Sequence, residues 1–234
     1  MSISTSEMLI GSRCTVAILG DTVEKQTRDS FDQVAAEQLA SDLTIYADQL
    51  ERSPLRVAPL LDTAIDTLSD GQYVVRHRQP FIAGAALAEA RPEVRVAATR
   101  QILGEIANMP TFGRKGLATP IDAWAGNFRV DSREKAHFVD FMPPMVRRPD
   151  GSFPAPAVTS FDRIAVSSPA FVMARLLRSV AAPHGDTPYD MLPDALRGRQ
   201  RDVVRTLIAA DYLPYRLSRR LVHKTLGVFP ESGF

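Results

Sequence analysis

The alternation of apolar and polar positions predicts a β-hairpin near the start of the chain. Residues 14–20 are mostly apolar and β-branched, residues 22–28 alternate, and the Gly-Asp pair between them is typical of a tight turn. Side chains alternate between the two faces of a strand, so Val23, Lys25 and Thr27 are expected to share one face. Lys25 is therefore placed on the second strand of the hairpin.

A long helix is predicted next, over residues 30–52. Its apolar residues recur at helical spacing, and Asp29 or Ser30 is suited to the N-cap. Pro54 and Pro59 follow within a few residues and cannot lie inside a helix, so the helix ends before them.

The remaining patterns predict a second strand pair, a further hairpin and several helices. The strands are expected at residues 57–65 and 71–82, a helix at 93–109, and the hairpin at 127–141. A Pro-rich irregular segment follows, and most of the chain from about residue 160 has a helical pattern. The order of elements favours an α+β protein whose small β-rich first part, with one long helix, precedes a helical second part.

Composition and charge narrow the class of protein. The chain has 234 residues, 45% hydrophobic and 24% charged, with a net charge of +1, which argues against a nucleic-acid or anionic-membrane partner. Its single cysteine, Cys14, excludes an intramolecular disulfide and is expected to be a buried small residue. The four histidines lack ligand spacing, so no zinc site is expected. Without a signal sequence or an apolar run of roughly 20 residues, we expect a soluble, cytoplasmic protein.

Candidate chemistry is concentrated in residues 121–141. Asn127 is one of only two asparagines in the chain, with Asp122 five positions before it and Asp140 thirteen after it. The predicted hairpin brings Asn127 and Asp140 together, and amide and carboxylate oxygens are the hard ligands that Mg²⁺ prefers. Asp122, on the preceding loop, is placed to orient an attacking hydroxyl or accept its proton. The spacing fits a metal–nucleotide site with a catalytic loop.

This pattern resembles the protein-kinase signature, in which an Asp, four residues, an Asn and a later metal-binding Asp follow one another. The stretches DAWAGN (122–127) and FVDF (138–141) have that form within a catalytic-type loop at 120–141. The Asn-Phe pair and the apolar strand leading into Asp-Phe are more similar to the aminoglycoside-phosphotransferase branch. The resemblance implies a two-lobed kinase-like fold, Asp122 as catalytic base, and Asn127 and Asp140 as magnesium ligands.

The resemblance also implies how ATP is held at its phosphate end. Lys25 would contact the phosphates and pair with a helix carboxylate, for which Glu37 is best placed and Asp42 is second. Gly11 and Ser12 would be the phosphate-covering loop. The alternatives are that Lys25 is a solvated lysine on an edge strand and that Glu37 is an ordinary exposed helix residue.

For the adenine end, the resemblance implies that backbone groups of residues 78–81 face the base. Gln79 and Phe81 are the cofactor contacts expected there. The same likeness divides the chain into an N-terminal lobe, residues 1–82, and a helical C-terminal lobe, residues 83–234.

The function expected from these residues is an ATP- and Mg²⁺-dependent phosphotransferase acting on a hydroxyl of a small molecule or peptide, in a biosynthetic or resistance pathway. The alternative is a catalytically inactive, pseudokinase-like binding or scaffolding subunit of a biosynthetic complex, with a protein partner. Pro120 stands where the kinase loop has a histidine, and Met142 where it has a glycine, which favours that alternative. A helical regulatory protein using the arginine-rich end is a third interpretation, opposed by the near-neutral charge.

Overall fold

The fold is α+β, as the sequence predicted. A five-stranded antiparallel sheet and one long helix form the first part, and helices with a small three-stranded sheet form the second. The structure is a computed structural model. It describes residues 8–10, 14–111, 116–142, 167–184, 191, 202 and 204–205. Within that part of the chain, no helix is long and apolar enough to cross a membrane.

The larger sheet has the strand order β1-β2-β3-β5-β4, with antiparallel neighbours throughout. Its strands are β1 (Met8–Ile10), β2 (Cys14–Leu19), β3 (Thr22–Thr27), β4 (Asp62–Thr67) and β5 (Tyr73–Pro80). The predicted hairpin is confirmed as β2 and β3. Lys25 lies on the inner strand β3, opposite His77 of β5, and its side chain is only 13% exposed. The edge-strand alternative for Lys25 is therefore wrong.

Helix α1 spans Gln33–Glu51 and packs one face on the core. The Asp32 side chain accepts a 2.7 Å hydrogen bond from the Ala35 amide, so Asp32 is the N-cap. The predicted caps, Asp29 and Ser30, were wrong because the helix begins at Gln33, and the residue directly before it is Asp32. The buried side chains of α1 are Ala36, Leu43, Tyr46, Ala47 and Leu50.

The segment after α1 differs from the prediction. The expected strand at 57–65 begins only at Asp62, because the preceding residues pair with another part of the chain. The Ala58 amide donates to Phe138 O at 3.0 Å, and the Phe138 amide donates to Arg56 O at 2.8 Å. The chain leaving α1 is thereby tied to the strand that leads into Asp140.

The second sheet contains the predicted hairpin. Its order is β6 (Ala85–Ala86), β7 (Phe128–Val130), β8 (Ala136–Phe138). The rings of Phe128 and Phe138 lie 5.2 Å apart between centroids and are fully buried, which fixes β7 against β8 at the level of the candidate site.

Two further helices complete the described core. Helix α2 (Pro92–Ala107) begins with proline at its first position, where the missing amide hydrogen costs nothing. Helix α3 (Pro169–Ala181) is buried along most of its length and packs on α2. The Pro-rich segment, most of the arginine-rich helices, and the predicted loop residues Gly11 and Ser12 lie outside the described residues.

Gly84 fixes how closely the segment after β5 approaches the second sheet. Its φ is +142°, and a Cβ built there would lie 1.8 Å from Val130 O. Only glycine fits, both because of the backbone conformation and because β7 is in contact.

Candidate active site

Lys25 reaches from the larger sheet to the residues around Asp140. Its Nζ donates a 2.6 Å hydrogen bond to Val139 O and lies 3.9 Å from Asp140 Oδ1. Burial lowers the pKa of Lys25, and the nearby Asp140 carboxylate acts in the opposite direction. The structure thus brings a buried cation from β3 to the carboxylate that follows β8, although the two are far apart in sequence.

The predicted pairing of Lys25 with Glu37 is wrong. Glu37 is exposed and accepts a 2.8 Å hydrogen bond from Gln33, one turn earlier on α1. Asp42, the second choice, accepts from Gln38 in the same manner at 2.8 Å. Successive helix residues are rotated by roughly 100°. Glu37 therefore turns away from the core beside the fully buried Ala36.

Asn127 links the loop of Asp122 to the end of β8. Its side-chain Nδ2 donates to Asp122 O at 2.9 Å, and its own carbonyl accepts from the Val139 amide at 2.9 Å. The Asp140 carboxylate follows directly, and its Oδ1 accepts from the Met142 amide at 3.2 Å. The sequence prediction that Asn127 and Asp140 meet at one end of the hairpin agrees with these contacts.

Asp122 has a basic partner that sequence reasoning missed. Arg175, on α3, places a guanidinium nitrogen 2.9 Å from Asp122 Oδ1, and both side chains are about one third exposed (32% and 31%). The same guanidinium lies 5.8 Å from the centre of the Trp124 ring. Arg175 comes 53 residues after Asp122, and no local pattern in the sequence connects the two.

Two other unpredicted contacts hold the loop. Tyr46, fully buried on α1, donates a 2.9 Å hydrogen bond to Pro120 O. Burial raises the pKa of the Tyr46 phenol well above its usual value, and the nearby Asp140 and Asp122 carboxylates raise it further. From the other side, Ser179 Oγ of α3 accepts a 2.9 Å hydrogen bond from the amide next to Trp124 in the loop.

The interior of the larger sheet carries unsatisfied polar atoms beside Lys25. Gln79 Nε2 donates to Val139 O at 2.9 Å, while Gln79 Oε1 is buried with no hydrogen-bond partner among the described residues. His77 Nε2 is likewise buried with no hydrogen-bond partner among the described residues. Burial, with a contribution from Lys25, lowers the pKa of His77 to about 3. Buried polar atoms without partners are rare in folded proteins, and a bound polar ligand is one way to satisfy them.

The backbone amide of Phe81, one of the expected base contacts, already has a partner within the protein. It donates to Asp21 O at 2.8 Å. The Phe81 ring lies 5.3 Å from the guanidinium of Arg129, which also donates from Nε to Ile82 O at 2.9 Å. A base contact at Phe81 would use the ring or the carbonyl rather than the amide.

The residues around Asn127 suit a magnesium ion only when a bound nucleotide supplies further oxygen ligands. The described part of the chain holds no cluster of three or more His, Cys, Asp or Glu side chains arranged for a metal. Magnesium characteristically takes one or two carboxylates and completes its octahedron with phosphate and water oxygens. One amide oxygen and one carboxylate, from Asn127 and Asp140, therefore fit an ion carried by a nucleotide and not a permanent metal centre.

Structural comparison finds aminoglycoside phosphotransferases among the similar solved proteins. A complex of APH(2")-IIia with GDP and kanamycin is 16% identical and has a TM-score of 0.46, covering 97% of this chain and 92% of that one. The GDP complex of wild-type aminoglycoside 2'-phosphotransferase-IIIa is 15% identical, with a TM-score of 0.49 and coverage of 97% and 89%. No protein-family model matches the sequence, and no curated protein matches it.

Proposed function

We propose that the chain is an ATP- and Mg²⁺-dependent phosphotransferase that acts on a hydroxyl of a small molecule or peptide. The supporting observation is one continuous set of contacts. Lys25 binds the Val139–Asp140 segment, the Val139 amide binds Asn127, and Asn127 binds the loop carbonyl of Asp122. These contacts support a site in which Lys25 would meet phosphates, Asn127 and Asp140 would hold magnesium, and Asp122 would face the acceptor.

The proposed reaction assigns a separate task to each side chain. The acceptor hydroxyl would face Asp122, which orients it and takes its proton as the new bond from oxygen to the γ-phosphorus forms. The bond between that phosphorus and the β-phosphate oxygen breaks, and the nucleoside diphosphate leaves. Lys25 would neutralise phosphate charge from its buried position on β3. Most of the rate enhancement would come from positioning and charge neutralisation.

Asn127 and Asp140 would hold Mg²⁺, which when bound supplies positive charge at the β- and γ-phosphates. The nucleotide would lie between the proposed lobes, residues 1–82 and 83–234. The base of the nucleotide would lie toward the end of β5. There Gln79 Oε1, which has no hydrogen-bond partner among the described residues, could accept a hydrogen bond from an amino group of the base.

The second candidate is a non-catalytic, kinase-like binding subunit. Two observations favour it: Arg175 already pairs with Asp122, and among the described residues Lys25 pairs with Asp140 and not with a carboxylate of α1. Against it, the contacts that hold Asn127 and Asp140 serve no evident purpose in a scaffold. A nucleotide could still bind such a subunit, so turnover is the observation that separates the two candidates.

The replacement of Asp122 by asparagine tests the proposed function. The amide keeps the size of the side chain and removes the proton acceptor, so ATP hydrolysis or transfer should fall by a factor of about 10²–10⁴, the usual contribution of a general base. ATP affinity should stay near that of the unmodified protein. Asp70→Asn, at an exposed turn between β4 and β5, is the matched control. Unchanged turnover in Asp122→Asn would remove Asp122 from the mechanism.

A further inference from the structure

The surface beside Asp122 combines a guanidinium with an exposed aromatic face. Trp124 is 51% exposed, although its chain neighbours Ala123 and Ala125 are buried. Arg175 stands over its ring and contacts the Asp122 carboxylate. A tryptophan is normally among the more buried side chains, and an exposed apolar surface often marks a binding site.

The position of Trp124 is fixed by the loop and by α3. The ring packs over Gly126, where an added Cβ would meet the Trp124 Cδ1 atom at 3.5 Å. Ser179 of α3 binds the loop next to the ring, and Arg178 lies on the same partly exposed face of α3 as Arg175. The surface is therefore built on an anchored loop and a helix and is not a chance orientation of one side chain.

The chemistry of this surface selects the charge of a ligand. A guanidinium has five N–H donors in a planar fork that matches carboxylate or phosphate oxygens, and Asp122 contacts one terminal nitrogen of Arg175. The indole face takes up an apolar or flat group. A polycationic acceptor would instead bring its ammonium groups against Arg175, which is unfavourable in a partly desolvated site.

We infer that Arg175 and Trp124 form the acceptor subsite, and that the acceptor carries a carboxylate or phosphate group near its hydroxyl together with an apolar or flat face. The anionic group would bind Arg175, the apolar face would lie on Trp124, and the hydroxyl would reach Asp122. This inference rests on the proposed function for the role of Asp122, but binding at the subsite is measurable without turnover.

Trp124 is itself the probe, because it is the only tryptophan in the chain. Its fluorescence, excited selectively over tyrosine, is titrated with four compounds: phenyllactate, glycerol phosphate, the neutral phenylpropanediol, and kanamycin. Phenyllactate and the diol share a ring and a hydroxyl and differ in charge. Glycerol phosphate distinguishes a phosphate from a carboxylate preference.

The expected result is a saturable change with phenyllactate or glycerol phosphate, and binding at least tenfold weaker for the diol and for kanamycin. Arg175→Gln should weaken the anion about tenfold, a difference of roughly 1.4 kcal/mol, whereas Arg175→Lys should retain part of the affinity. Arg91→Gln is the control, since Arg91 is 71% exposed and pairs with Glu93 away from this surface. Each variant is first checked for an unchanged melting temperature in buffer.

Three results would overturn the inference: equal binding of diol and phenyllactate, tighter binding of kanamycin, or anion binding that is unaffected in both Arg175 variants. A separate melting-temperature shift with ATP and magnesium reports on the proposed function. If that shift is present and Trp124 does not respond to any anion, the subsite is wrong and the phosphotransferase proposal stands. If the shift is absent and the anions still bind through Arg175, Arg175 and Trp124 form an anion-binding site, but the phosphotransferase proposal fails and with it the acceptor role of that site.

Discussion

The hydroxyl of Tyr46 donates a 2.9 Å hydrogen bond to the carbonyl oxygen of Pro120, two residues before Asp122. Tyr46 and Pro120 are both buried. The long helix of the first part therefore supports the loop directly.

Tyr46→Phe should destabilise the protein and impair the loop. The change leaves the buried Pro120 carbonyl without its donor, at a cost of about 1–3 kcal/mol in the free energy of unfolding. Denaturant unfolding measures this cost. Turnover should fall more than ATP affinity, because Pro120 lies two residues before Asp122, whereas Lys25, the proposed phosphate contact, lies on β3.

Tyr73→Phe is the control for this change, since Tyr73 lies on β5 and its hydroxyl makes no hydrogen bond within the described part of the chain. If both phenylalanine variants behave alike, the bond from Tyr46 has no special role.

Gly84→Ala should be poorly tolerated, and more so than the same change in an open turn. At Gly84 the added methyl group meets Val130 O, and the backbone strain alone is worth about 1–3 kcal/mol. At Gly20, φ is +66° but nothing lies within 4 Å of the new atom, so only the left-handed conformation is penalised, by about 1–2 kcal/mol. Melting temperatures of the two variants measure the difference, and a Gly84 variant as stable as the Gly20 variant contradicts the close approach.

His77 should make stability depend on pH. Its pKa is about 3 in the folded protein and 6.5 in the unfolded chain, so only the unfolded state takes up a proton between those values. Stability is full above about pH 6.5 and falls as the pH is lowered, by about 2 kcal/mol between pH 7 and pH 5. Urea unfolding at the two pH values measures the loss.

His77→Gln removes the titrating group and should flatten this dependence, whereas His184→Gln, at an exposed position, should leave it in place. An unchanged pH dependence in the His77 variant would show that another group is responsible.

The sequence predicted those elements whose formation depends on residues close together in the chain. The β2–β3 hairpin, helix α1 and the β7–β8 hairpin follow from alternation, helical spacing and turn residues, and the structure has all three. The N-cap of α1 was placed a few residues too early because several adjacent side chains in the sequence can cap a helix, and only the folded chain selects Asp32.

Contacts between distant segments were not predictable from the sequence. Asn127 and Asp140 lie on one hairpin, so their proximity followed from the hairpin itself. Arg175 and Tyr46 reach the loop from helices far away along the chain, and no periodicity specifies which face of α3 meets Asp122. The prediction for Glu37 rested on its charge and its place on the helix. Which face of α1 is buried determines whether Glu37 can reach Lys25, and the structure leaves Glu37 on the exposed face.

The central claim is that Lys25, Asn127 and Asp140 bind a nucleotide together with magnesium. Melting temperature is measured in buffer, with ATP, with Mg²⁺, and with both, for the unmodified protein, Asp140→Ala and the control Asp48→Ala, whose side chain is exposed on α1. A ligand that binds only the folded state at a hundred times its Kd stabilises by about 2.7 kcal/mol. We expect a rise with ATP that grows with magnesium, loses that growth in Asp140→Ala, and keeps it in Asp48→Ala. No rise at millimolar ATP, or an undiminished magnesium effect in Asp140→Ala, would contradict the claim.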